Sequence, residues 1–167
     1  MEDLNKKINE MENQYQKIIE KIPGFAGYFA REKRRTADKL LRQYLADRLR
    51  KTKDELLSKG NTLLKKKEFD ALEELNELIK NFQFIVDKIE YAPQGYSGFF
   101  GSIKADTKML DRLYAVDASL LSLIEKSEKI VADETKTVKE IISNMKNNLK
   151  DFKTFLNKRL EILAGIK

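Results

Sequence analysis

Apolar residues in this chain recur at three- and four-residue intervals almost from end to end, and only a few breaks interrupt the runs. Leu4, Ile8, Met11, Tyr15, Ile18 and Ile22 form a heptad-like stripe, which predicts one helix ended by Pro23-Gly24. A second helix is predicted from about Arg31 to Lys59, burying Ala37, Leu41, Leu45, Leu49 and Leu56. Lys59-Gly60-Asn61-Thr62 reads as its end, a glycine stop followed by a polar start.

The third stripe is Leu72, Leu75, Ile79, Phe82, Val86 and Ile89, and its helix must stop before Pro93, because the residue ahead of a proline disfavours helical geometry. Ser102 is placed to cap a fourth helix carrying Ile103, Leu110, Leu113, Leu120 and Ile124. The phase shifts near Ala132-Asp133-Glu134-Thr135. A fifth stripe then follows, with Val138, Ile142, Met145, Leu149, Phe152 and Leu156. One long bent helix or an antiparallel hairpin both fit these last two stripes. The hairpin is favoured, since a single rod would leave both stripes short of partners.

No strand-like alternation is present. The expected fold is therefore all-α: a single domain over residues 1–167, an up-down antiparallel bundle of four to five long helices joined by short connections. Residues 1–22 either dock on that bundle or form a semi-independent heptad helix that pairs copies of the chain into a homo-oligomer.

Composition narrows the chemistry. The chain has neither Cys nor His, which removes disulfides, thiolate nucleophiles, Cys/His zinc sites and histidine-based triads. No apolar run reaches the length of a membrane span. The first twenty residues mix charges with apolar positions, unlike a signal peptide. A cytoplasmic protein is the simplest expectation.

Charge is segregated. The chain carries 33 Lys+Arg against 27 Asp+Glu, a formal +6. The stretch from Phe29 to Lys59 accounts for all of that excess, and it holds Arg31, Arg34, Arg35, Arg42, Arg48 and Arg50. Net charge confined to one element marks a face for an acidic partner.

Ahead of two of the predicted helices stands a repeated phrase: Pro23-Gly24-Phe25-Ala26-Gly27-Tyr28-Phe29 and Pro93-Gln94-Gly95-Tyr96-Ser97-Gly98-Phe99-Phe100. It contains both prolines and four of the seven glycines. In an up-down bundle the two copies fall at the same end. Glycines there can turn backbone N–H groups toward a ligand, the next helix start is partly positive, and the aromatics supply flat walls. The candidate partner- or anion-binding set is therefore Gly24, Gly27, Tyr28, Arg31, Lys33, Arg34, Arg35, Gly95, Tyr96, Gly98, Phe99 and Lys104. The alternative is that both phrases only cap the bundle.

The acidic run Glu68, Asp70, Glu73, Glu74 and Glu77 lacks the histidines of carboxylate-bridged metal bundles. No metal, cofactor or catalytic residue is expected. Lys51-Thr52-Lys53 and Lys65-Lys66-Lys67 suit nucleic-acid phosphates, though no known reader motif accompanies them.

Residues 23–50 and 91–114 resemble a bacterial all-helical family of unknown function, through Pro23-Gly-Phe-Ala-Gly-Tyr28, the Glu32-Lys-Arg-Arg-Thr-Ala-Asp38 helix start and Tyr91-Ala-Pro-Gln-Gly-Tyr-Ser-Gly-Phe99. The family pattern is PGYxGY, ExRRxAD and YAPxGYxGxF. Its members look like companions of band-7-type membrane scaffold proteins, and the resemblance implies no chemistry. It does imply that the two phrases and Glu32, Arg34, Arg35 and Asp38 act as one unit. The expected function is a non-enzymatic scaffold or interaction module for an acidic protein surface or an anionic membrane. The runner-up is sequence-independent nucleic-acid binding, ahead of a histidine-free enzyme.

Overall fold

The computed structural model describes residues 16–27, 34–92 and 107–164. Every regular element among them is helical: α1 over residues 16–21, α2 Arg34–Lys65, α3 Phe69–Glu90, α4 Thr107–Ala132 and α5 Val138–Leu163. The fold is an all-α helical bundle. The Ser102 cap and the meeting of the two aromatic-glycine phrases lie outside the described residues. None of the described helices is long and apolar enough to cross a membrane.

The chain divides into two compact units. One takes Met1–Tyr44, Pro93–Leu121 and Phe155–Lys167, the other Leu45–Ala92 and Ser122–Thr154. In the first, the described part of the heptad stripe is buried by its own chain: Ile18 and Ile22 are sealed from solvent, together with Phe25, Leu41 and Leu113.

The second unit contains segments of α2, α3, α4 and α5, and its side-chain contacts give their order. Lys53 Nζ donates to Gln83 Oε1 at 2.7 Å, and Arg50 bridges to Glu90, so α2 lies beside α3. Lys146 bridges to Glu74 at 2.7 Å, and the Phe82 and Phe152 rings meet edge-on at 6.4 Å, so α3 lies beside α5. Asn148 Nδ2 donates to the Leu123 carbonyl at 3.0 Å and to Ser127 Oγ, joining α5 to α4. The Arg48–Glu128 pair closes the ring from α2 to α4. Two antiparallel hairpins, α2/α3 and α4/α5, thus pack side by side. Residue numbers rise together along α3 and α5, which run parallel.

The end of α2 departs from the sequence reading. The helix passes straight through Gly60 and stops at Lys65. Leu63 follows Leu56 by one heptad, and both are buried. Burying a leucine is worth roughly 1.5–3 kcal/mol, more than the ~1 kcal/mol that a mid-helix glycine costs. The stripe therefore outweighs the punctuation. The turn comes later, where Glu68 N–H bonds the Leu63 carbonyl at 2.9 Å and Lys67 N–H the Leu64 carbonyl at 3.1 Å. This is a Schellman closure, and Lys67 occupies its left-handed position at φ 57°, where glycine usually stands.

In α3 the buried stripe is Ala71, Leu75, Leu78, Phe82, Ile85, Val86 and Ile89. Leu72 and Ile79, read from the sequence as core, lie half-buried on its flank. The break after Ala132 is real. Asp133 Oδ1 accepts from the Thr135 N–H at 3.0 Å and from its hydroxyl. Thr137 and Glu140 then cap α5 reciprocally, Glu140 N–H to Thr137 Oγ1 at 3.2 Å and Thr137 N–H to Glu140 Oε2 at 2.7 Å. That is a capping box, and its Thr-x-x-Glu spacing is present in the sequence.

Candidate functional site

Helix α1 ends in the turn Pro23–Gly27. Phe25 N–H bonds the Ile22 carbonyl at 3.1 Å, which folds the chain back and inserts the Phe25 ring into the core of the first unit. Gly24 and Gly27 stand at φ 77° and 91°, in the left-handed region that L side chains rarely adopt. At Gly24 a Cβ would have room, 3.7 Å from Leu40 Cδ2, so conformation rather than space calls for glycine there. This first aromatic is a cap. Tyr28, Arg31 and Lys33 lie outside the described residues, as do Gly95, Tyr96, Gly98, Phe99 and Lys104.

Helix α2 begins with Arg34, which is buried, and Arg35, which is exposed. One turn on, Lys39 is exposed too. The first turn of α2 carries no acid. Cations there face the positive end of the helix dipole, which favours anions.

Beneath that surface lies an ion network that the sequence did not suggest. Asp38 on α2, Asp117 on α4 and Arg159 on α5 are all buried. Arg159 donates through Nε to Asp117 Oδ1 at 2.7 Å and through Nη2 to Asp38 Oδ1 at 2.5 Å. The second Asp38 oxygen accepts from Arg42 Nε at 2.8 Å. Two carboxylates are thereby matched by two guanidiniums, which is the condition for charges to tolerate burial. Burial on its own would push the Asp38 carboxyl up, but Arg159 and then Arg42 outweigh it and hold the group below the ordinary carboxylate range. A carboxylate so engaged is a poor base. Its role is to fasten α2 to α5.

Arg159 was detectable in principle. In a helix whose other cations are lysines, it alone is arginine, three residues after the buried Leu156 and on the same stripe.

Arg48 and Arg50 of the basic stretch are also engaged within the bundle. Arg48 grips Glu128 with both Nε and Nη2, and Arg50 bridges to Asp47 and Glu90. Much of the arginine concentration therefore ties helices together. Arg35 and Lys39 of the first unit are exposed to solvent.

Among the described residues no group of three acidic side chains could hold a metal ion. No protein-family model, curated protein or solved structure matches the chain. The family resemblance therefore rests on the quoted phrases alone.

Proposed function

We propose that this chain is a non-enzymatic helical interaction module. It binds an acidic surface, of a protein or of an anionic membrane, through the basic start of α2 and the aromatic-glycine phrases. One observation carries the reading. Arg35 lies exposed in the first turn of α2, where the helix dipole disfavours cations and no acid is present, and Lys39 is exposed one turn on. An acidic partner placed at this end would favour cations that the helix dipole alone disfavours. The resemblance to companions of membrane scaffold proteins directs the first trial to lipid.

The test has two arms, both comparing the full chain with Arg35→Gln/Lys39→Gln. In flotation, vesicles containing phosphatidylserine should carry the wild-type chain and neutral vesicles should not. Each basic residue near such a surface contributes about 1 kcal/mol, so the double variant should bind roughly 30-fold more weakly. In the second arm, a pull-down from lysate should recover an acidic protein with the wild type alone. Equal behaviour of the two chains in both arms overturns the reading.

A further inference from the structure

A second feature stands apart from that reading, entirely within the other unit. Parallel α3 and α5 lie side by side there, and equivalent positions on them differ by 72 in number, as in the Glu74–Lys146 bridge. One and two turns further on, the same register brings Glu77 opposite Leu149 and Lys150, and Asn81 opposite Lys153. No bridge closes there. The helices instead leave an open groove of about 320 Å³, floored by Leu78 and Leu149, with Lys146 also in its lining.

Its two walls differ in kind. The α5 wall offers the Lys150 and Lys153 ammoniums, both exposed and neither bridged to a carboxylate among the described residues. The α3 wall offers acceptors: the Glu77 carboxylate, and the Asn81 carbonyl oxygen, whose amide N–H₂ is engaged by the Glu77 main-chain carbonyl at 3.0 Å. The floor leucines are nearly covered, so apolar contact contributes little and polar groups set the selectivity.

We propose that this groove binds a small phosphate monoester bearing hydroxyl or amino groups. Two lysines one helical turn apart match a dianionic phosphate, for which ammonium groups serve as point charges. The donor groups of such a ligand reach Glu77 and Asn81 across the groove. A uniformly acidic polymer is a worse fit, because Glu77 repels it. The volume lies at the lower end of the range for small-molecule sites, and a three-carbon phosphate fits within it.

The probes are glycerol 3-phosphate and inorganic phosphate, titrated separately into the isotopically labelled full chain and followed by amide NMR shifts. Glycerol 3-phosphate should bind saturably, shift the amides around Leu78 and Leu149, and bind several-fold tighter than inorganic phosphate. Lys150→Gln/Lys153→Gln should weaken it at least tenfold with the helical circular dichroism unchanged. Asn81→Asp, which adds charge to the opposite wall and leaves both lysines in place, should weaken it as well. Glu77→Gln should narrow the preference over inorganic phosphate. Absence of saturable binding, equal affinity for the two probes, or binding that survives the double lysine substitution overturns the proposal. None of these residues belongs to the basic start of α2, so failure here leaves the reading of that end untouched.

Discussion

Arg159 on α5 donates its Nε–H to Asp117 on α4 at 2.7 Å, and the two side chains are only 6% and 0% exposed. The same guanidinium holds Asp38 on α2. Removing the arginine therefore takes a guanidinium away from two buried carboxylates, of which Asp38 keeps Arg42. Arg159→Ala should cost about 3–5 kcal/mol in urea unfolding, the usual penalty for orphaning a buried charge. Arg159→Lys should be intermediate, since an ammonium cannot reproduce the planar fork. Replacing both partners, as in Arg159→Met/Asp117→Leu, should recover much of the loss, because apolar packing substitutes well for a buried pair. A loss under about 1 kcal/mol for the alanine variant would show the network to be energetically idle.

The same network sets an acid limit. Arg159 and Arg42 hold the Asp38 carboxyl below its unfolded value despite the opposing effect of burial. A depressed pKa adds stability that is complete above the unfolded value, about 3.9 for Asp, and is lost as pH falls through the folded one. The stability gap between wild type and Asp38→Asn should therefore be constant near neutrality and shrink below about pH 4. A gap that stayed level down to acid unfolding would contradict this account.

The α2–α3 hairpin has its glycine and its lysine at interchanged stations. Gly60 lies inside a helix, and a Cβ there would meet Leu72 and Leu75 at an ordinary 3.5 Å. Gly60→Ala should stabilise by about 0.5–1 kcal/mol. Lys67 occupies a left-handed φ, and Lys67→Gly should stabilise by a similar ~0.5–1 kcal/mol. Thermal melts of the singles and the double check both values, and the gains should add. Destabilisation by either single substitution would refute the assigned turn.

The start of α5 depends on the Thr137–Glu140 box. Thr137→Ala should lower stability by about 1 kcal/mol, while Thr137→Ser should be nearly silent. Equal melting points for the two variants would mean that the cap contributes nothing.

Periodicity carried most of the fold. The stripes through Phe82, Val86 and Ile89 and through Met145, Phe152 and Leu156 lie in the core as spaced. The sequence reading failed where a local signal met a longer-range one. Gly60 says stop, but Leu63 supplies enough buried surface to keep α2 going. At the candidate site, the end of α1 at Pro23-Gly24 was legible because turn chemistry is local. The arginines were legible as charge and opaque as to use, since Glu90 and Glu128 stand far from them in the chain. Arg159 carried a fainter signal, a lone arginine on an apolar stripe, and its use stays hidden until its two carboxylates are seen beside it.

The Arg159–Asp38 bond also bears on synthesis. Asp38 leaves the ribosome 121 residues ahead of its partner, an interval of roughly 6–24 seconds at ordinary translation speed. Through that time its carboxylate has Arg42 but not Arg159, and Asp117 lacks its bond from Arg159. Closing the core of the first unit before then would bury carboxylates short of a counter-charge, which favours its staying open until the segment bearing Arg159 emerges. A nascent chain stalled before that point would hold this unit unlocked, and a chaperone would find it there.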